Sequence, residues 1–494
     1  MKWLLSMVFL FHAVSQVMAA SPAQQPQPAG TAVPGKPAAA LPTTAQVWKG
    51  DFDGMMARRI IRVLVPYSRT LYFNDKGQES GITADLVREF ERYVNRKYRK
   101  KLGNRPITVI IIPTSRDKLL PNVVTGLGDI AAGNLTVTDE RLRMVDFVSP
   151  DLGRTVAEVV ITGPNAKPVT RVEDLAGRQV HVRKSSSYYE SLVQLNNRFR
   201  QEKQPEMDLV AVPNTLEDED MMEMVNAGLL NVIIVDDWKA EIWQKILPRM
   251  TVNKQVALRT GGRTGWAIRK QHPGIVAELN DFYNKAVKKQ ASIIYRLAQY
   301  NRRIKQIYNS TGKNDWQRFG GLLTLFQKYG HQYGFDPLML AAQGYQESRL
   351  QQKARSPSGA VGVMQVLPST GKYMKVGDVR VLEPNIHAGA KYMDHLMKEY
   401  FQDATFSEMD RTLFAFAAYN AGPNRIAKIR KEAAKQGLDP NQWFNHVEIV
   451  TAKRVGMETT TYVRNIYKYY IAYKLTLEAQ EQQAKAREQL KSNQ

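Results

Sequence analysis

From Arg59 onward, short apolar runs alternate with longer stretches in which apolar residues recur every three or four positions. "IIRVLVPY" is rich in β-branched residues and reads as a strand, and "ITADLVREFERYVNRKY" places Leu86, Phe90, Tyr93 and Val94 on one helical face. "ITVIIIPT" reads as a second buried strand, and "VNAGLLNVIIVDDWKAEI" as a helix end followed by a strand. Strands alternating with helices predict parallel sheet covered on both faces, with ligands bound beyond the carboxyl ends of the strands. Near residue 315 the strand signals stop. "WQRFGGLLTLFQKYGHQYGFD" sets Phe319, Leu322, Leu323, Phe326 and Tyr329 at helical spacing. Gly334 can end that helix, and Asp336 can cap the next with Pro337 at its first position. "NIHAGAKYMDHLMKEYF", "RTLFAFAAYNAG" and "YVRNIYKYYIAYKLTLEA" keep the same period, so this half is predicted to be all-α. From about Leu477 the chain turns polar, a frayed helix or disordered tail.

Length and composition then narrow the picture. A chain of 494 residues, 43% of them hydrophobic, is too long for one ordinary core and suits two or three domains. Its first residues, "MKWLLSMVFLFHAVSQVMAAS", carry a lysine, an apolar run from Trp3 to Leu10, and small residues at Ala19, Ala20 and Ser21. That is the layout of a cleaved secretory signal peptide. His12, Ser15 and Gln16 interrupt the run, whereas a spanning anchor needs about 20 apolar residues. The proline- and alanine-rich "SPAQQPQPAGTAVPGKPAAALP" follows and reads as an extended tether. A net charge of +22 favours anionic partners, and export removes nucleic acid from the candidates, leaving envelope polymers and lipid head groups. The chain has no cysteine, which excludes disulfides, thiolate metal sites, a cysteine nucleophile and a lipid-modified cysteine anchor. Its seven histidines have no spacing such as H-E-x-x-H, so neither a metal nor a cofactor is expected.

Within the α-helical half, "QESRLQQKARSPSGAVGVMQV" puts Glu347 at the end of an apolar helical stretch, followed by a glycine- and serine-rich loop. Glycosidases commonly use two carboxylates, yet the next one along the chain is Asp378. Leu340, Gly344 and Glu347 fall on one face, so the carboxyl meets an apolar wall. Desolvation there disfavours its charged form and keeps a proton available near neutral pH, as a general acid requires. Gly359 and Gly362 serve a turn or let backbone approach a sugar closely. Gln365 and Asn420 can each donate and accept hydrogen bonds, which suits acetamido and hydroxyl groups. Tyr419 is either core packing or part of the site. Tyr462 needs a partner for its hydroxyl if buried, and the acid is a candidate.

Four segments, "QESRLQQKARSPSGAVGVMQVLPSTG", "EPNIHAGAKYM", "FAFAAYNAGPNRI" and "ETTTYVRNIYKYY", resemble the successive motifs of the soluble lytic transglycosylase domain, a goose-lysozyme-like α fold. The resemblance implies that Glu347 is the catalytic acid/base and Ser348 the second member of the family's Glu-Ser pair. It also implies that Met364 and Gln365 of the loop, Tyr419 and Asn420 of Ala-Tyr-Asn-Ala-Gly, and Tyr462 contact or border the substrate. In that family one acid suffices: it protonates the bond between N-acetylmuramic acid and N-acetylglucosamine. It then deprotonates the sugar's own 6-hydroxyl, which closes a 1,6-anhydro ring.

The α/β half resembles the family-3 solute-binding proteins, two-lobed periplasmic receptors, through "GITADLVREF", "GLGDIAAGNLTVTDERLRMVDFVSP", "VEDLAGRQVHVRKSSSYYESL" and "NVIIVDDW". The resemblance implies an amino-acid or muropeptide ligand. Its carboxylate would be held by Arg141 with Asn134, Thr136 and Thr138, and its amine by Asp236. Ser186 or Ser187 would supply hydroxyls, and Tyr67 or Tyr72 would stack on it. The glycine usual in the opposite lobe's turn is absent from "KSSSYY".

A binding module ahead of a transglycosylase domain resembles the membrane-bound lytic murein transglycosylase F family. The expected order is signal peptide 1–20, linker 21–54, two-lobed α/β domain 55–310, all-α lysozyme-like domain 311–476 and polar tail 477–494. The expected activity is non-hydrolytic cleavage of peptidoglycan strands in the periplasm, with peripheral attachment to the outer membrane and regulation by the N-terminal domain. Two alternatives stay open. One is a hydrolytic muramidase, which needs a carboxylate brought in from elsewhere in the chain; the other is a non-enzymatic receptor or scaffold, which has no need of the Glu347–Ser348 pair.

Overall fold

The computed structural model describes residues 46–149, 155–286 and 307–492. The expected signal peptide, residues 21–45 of the expected linker and residues 287–306 of the expected N-terminal domain lie outside the described residues.

The N-terminal half forms two lobes. In the first, a five-stranded sheet has the spatial order Thr108–Pro113, Ile60–Val65, Ile130–Thr136, Thr264–Ile268 and Asp146–Val148. The second lobe's sheet runs Thr251–Gly262, Val156–Thr162, Val232–Asp236, Gln179–Val182 and Asp208–Ala211. Neighbouring strands within each βα unit are parallel, as the pattern predicts. The sheets are nevertheless mixed. Val156–Thr162 and Thr264–Ile268 are antiparallel to both their neighbours, because they bring the chain into one lobe from the other. Helix Ile82–Lys97 buries Val87, Phe90, Tyr93 and Val94, with Leu86 only partly covered, so its apolar face is turned slightly from the expected one.

Residues 46–54, assigned to the linker by composition, belong to the folded first lobe. Arg62 is buried and donates to the carbonyls of Gln46, Trp48 and Gly126 as well as to Asp129. A buried guanidinium must find acceptors, and this segment's backbone supplies them. Arg58 lies 3.6 Å over the Trp48 ring, and Asp51 caps helix Phe52–Arg58.

In the C-terminal half, helix Lys313–Tyr333 ends on Gly334 at φ 68°, and the Asp336 side chain caps helix Pro337–Ser348, as the sequence predicts. Five further helices, Leu382–Tyr400, Glu408–Ala421, Pro423–Lys435, Glu448–Val455 and Met457–Ser492, complete the core with the short Pro368–Met374. Helix Pro337–Ser348 packs along Met457–Ser492, with Tyr345 edge-on to Tyr469 at 4.7 Å between ring centroids. The polar stretch from Leu477 continues this last helix to Ser492.

The two halves meet across one helix, Asp218–Ala227. All ten of its residues are buried, including the carboxylates of Asp218, Glu219, Asp220 and Glu223. Such a helix is tolerable only if cations come to it. From its own half come Arg183 and Lys239 to Asp218, and Arg69 to Glu223 at 2.7 Å. From the C-terminal half, Lys468 and Arg464 reach Asp220 at 3.1 and 3.2 Å, and Lys468 also pairs with Glu223. Burial alone would raise these carboxyls; Lys468, Arg464 and Arg69 overcome it and hold Asp220 well below the usual range, and Arg69 with Lys468 does the same for Glu223. A second bridge is the hairpin Phe73–Asp75/Gln78–Ser80. Its Asp75 carboxylate accepts from Met457 N–H at 3.0 Å, and Lys76 N–H donates to Ala452 at 2.9 Å.

Candidate active site

Glu347 sits in the last turn of helix Pro337–Ser348, ahead of Arg349 in the left-handed C-cap. The apolar side of this helix is fully buried, and the glutamate is half-buried in the lining of a groove of about 1100 Å³. Tyr462 approaches from helix Met457–Ser492, its hydroxyl 2.5 Å from Glu347 Oε1. Burial pushes the Glu347 carboxyl up to about 7, against the smaller opposing effect of the Tyr462 hydrogen bond. Gln343, one turn earlier and wholly buried, lies against the same tyrosine hydroxyl. Asn420 is exposed and lines the groove. Glu347, Tyr462 and Asn420, far apart in sequence, are thus brought together.

The other expected substrate residues build the loop beside the acid. Ser348 Oγ donates to Val363 O at 2.8 Å, Tyr419 hydroxyl to Met364 O at 2.8 Å, and Gln365 Nε2 to Gly362 O at 2.8 Å. Met364 is completely buried. Ser348 also borders the groove, whereas Met364, Gln365 and Tyr419 do not line it. Gln365 Nε2 and the Tyr419 hydroxyl are thus engaged by loop carbonyls in this structure. Gly362 has φ 80°, and a Cβ there would lie 2.4 Å from Asn385 Nδ2, so the glycine serves packing within the protein and not approach to a sugar. Asn385 was missed by sequence reasoning. Buried in helix Leu382–Tyr400, it donates to Val361 O and Val379 O and accepts from Met364 N, all at 2.8 Å. It lies inside the quoted "EPNIHAGAKYM", but its partners are backbone groups, which leave no mark in sequence.

The groove also draws on residues the sequence reading did not connect to Glu347. Asp75, Asn226 and Arg249 of the N-terminal half line it, together with Tyr308 and Glu458. Two carboxylates distant in sequence therefore share the groove with the acid.

The second site lies between the lobes. Asn134, Thr136, Arg141 and Ser186 line one small cleft, and Asn134 Nδ2 donates to Asp236 at 2.8 Å. Arg141 donates to Thr136 O at 3.0 Å and Ser185 O at 3.3 Å, and pairs with Glu190 at 3.5 Å. Ser186 caps helix Ser187–Gln201. Arg116, Arg183, Asp218 and Lys239, which sequence reasoning did not single out, join them, Arg116 pairing with Glu217 at 2.8 Å. The free space is about 30 Å³, room for one or two waters, so in this structure the cleft is filled by its own ion pairs. Tyr72 is not there. It is buried beside the hairpin, its hydroxyl 3.4 Å from Glu79, in a separate cavity facing the C-terminal half.

Fold and site together define a two-lobed solute-binding module joined to a helical domain with a half-buried acid, Glu347, in a groove. Residues 61–296 match the family described as bacterial extracellular solute-binding proteins, family 3, and residues 324–441 match the transglycosylase SLT domain. A membrane-bound lytic murein transglycosylase F from Pseudomonas fluorescens is 27% identical over 432 residues, covering 83% of this chain and 84% of that one. Its namesake from Desulfosudis oleivorans is 26% identical over 427 residues, covering 83% and 89%. Over 83% of its length the chain is thus similar to proteins of the membrane-bound lytic murein transglycosylase F family.

The geometry fixes a pH dependence. A general acid works protonated, so with Glu347 in that role kcat/KM is expected to fall as pH rises through about 7. Tyr462→Phe removes a bond that favours the carboxylate, so the falling limb should move to higher pH while kcat drops. A folded pKa raised from 4.5 to about 7 also means that stability is lost as pH rises across that interval. Glu347→Gln should therefore gain on the parent by on the order of 2 kcal/mol at about pH 8 and gain nothing at about pH 4, checked by urea unfolding at both pH values.

Proposed function

We propose that the chain cleaves the glycan strands of peptidoglycan in the periplasm as a lytic transglycosylase. Glu347 donates its proton to the glycosidic oxygen between N-acetylmuramic acid and N-acetylglucosamine. The resulting carboxylate takes the proton of the muramic acid 6-hydroxyl as that oxygen closes onto the anomeric carbon, giving a 1,6-anhydro end. The observation that carries this reading is the half-buried Glu347 carboxyl, raised to about 7 and bonded to Tyr462 in the lining of an open groove. One tyrosine-supported acid can serve both proton transfers, and the attacking oxygen is already part of the substrate. Asn420 and Ser348 border the groove where the sugar's acetamido group would lie.

A hydrolytic reading is favoured by one observation, the exposed Glu458 in the same groove, which could activate a water. Digestion of purified peptidoglycan followed by mass spectrometry separates the two. Anhydromuramyl ends from the parent and a loss of at least about 100-fold in Glu347→Gln are expected. Products one water heavier would replace this mechanism with hydrolysis.

For the N-terminal domain the proposed role is control of the groove by an amino acid or muropeptide. Arg141 and Asp236 supply the opposite charges a zwitterion needs, and opening the lobes would free them from Ser185, Glu190 and Asn134. Calorimetry with amino acids and muropeptides should find a binder that Arg141→Ala abolishes. A screen with no binder would remove the regulatory role and leave the catalytic one untouched.

A further inference from the structure

Among the residues lining the catalytic groove, two are cations, Arg249 and Arg349. Arg349 is engaged, its guanidinium 3.4 Å over the Tyr308 ring. Arg249 is exposed, and its side chain has no hydrogen bond, ion pair or ring contact among the described residues. Its backbone, by contrast, is firmly held. It lies in the connection between helix Asp237–Gln244 and strand Thr251–Gly262, between the buried Leu247 and Met250. Its N–H donates to Asn226 Oδ1 at 2.8 Å, and Asn226 is a buried residue near the end of the acidic interface helix. The solute-binding domain therefore sets a fixed root for a free guanidinium inside the groove of the other domain.

The chemistry of the substrate says what such a group can meet. The sugars on either side of the cleaved bond carry neutral hydroxyl and acetamido groups, and the lactyl acid of muramic acid is consumed in an amide when a peptide stem is attached. Free carboxylates on such a strand belong to the stem. An arginine fork matches a carboxylate by two parallel hydrogen bonds.

We propose that Arg249 forms a subsite for a carboxylate of the peptide stem borne by the strand under cleavage, so that the solute-binding domain takes part directly in selecting stem-bearing glycan. This rests on the transglycosylase reading above.

The test uses the full chain, with Arg249→Ala and Arg249→Lys, on two substrates: intact peptidoglycan strands, and the same strands freed of stems by an amidase. Arg249→Ala should raise KM on stem-bearing strands about fivefold, the worth of one exposed charged contact, with kcat unchanged. Arg249→Lys should fall between it and the parent, and added salt should narrow the gap. On stem-free strands the variant and the parent should match. Equal losses on both substrates would assign Arg249 to the sugars' own hydroxyl or acetamido groups, and a loss on stem-free strands alone would assign it to the lactyl carboxylate that the amidase exposes; either result, or no loss on either substrate, would overturn the stem subsite. Absence of product from the parent on both substrates would instead bring down the transglycosylase reading itself. Since the Arg249 side chain has no partner among the described residues, unchanged unfolding curves are expected for both variants.

Discussion

An acid that must hold its proton in water near neutral pH needs a dry wall, and the helical half of this protein is organised around supplying one. Glu347 stands where the buried face of helix Pro337–Ser348 runs out into the groove, so its ionised form is penalised by burial while one side stays open to substrate. Two supports keep that balance. Tyr462 bonds the carboxyl from the neighbouring helix, and the loop from Gly359 to Gln365 is held beside it by Asn385, Ser348 and Tyr419 through the carbonyls of Val361, Val363 and Met364. A loop tied at three sites within four residues is held in place, which is what a reaction sensitive to ångström errors demands.

The N-terminal half is tied into this arrangement by electrostatic necessity. A fully buried helix with four carboxylates requires cations from every side, and Arg464 and Lys468 can answer it only if helix Met457–Ser492 lies against it. Arg464 and Lys468 follow Tyr462 along that same helix, and its first N–H is capped by Asp75 from the other half. The acidic helix also begins at the cleft, where Asp218 meets Arg183 and Lys239. Cleft, interface and acid are consequently served by a short series of shared elements, and the groove is composite.

Much of this was legible in the sequence. The helix punctuation at Gly334 and Asp336, the alternation of strands and helices, and the grouping of Glu347, Tyr462 and Asn420 follow from local pattern and from motifs in a recognisable order. What was not legible is non-local or carried by backbone. Ser348, Gln365 and Tyr419 were visible as motif residues, but the loop carbonyls they bond leave no mark in sequence. Asn385 shares that cause. The run Glu217–Asp220 has the composition of a solvated surface, and only the cations of five other segments make its burial possible. Trp48 and Phe52 follow a proline-rich tether in composition, yet the buried Arg62 needs the backbone around them. Arg249 has no sequence neighbour in the catalytic half at all.

The measurement that reaches the centre of this account is a direct titration of one carboxyl. The carbon-13 resonance of the Glu347 carboxyl, assigned by its loss in Glu347→Gln, should titrate with a midpoint near 7 in the free protein. A midpoint in the ordinary glutamate range, near 4.5, would mean that Glu347 is an ionised surface group at neutral pH and would contradict its role as the acid.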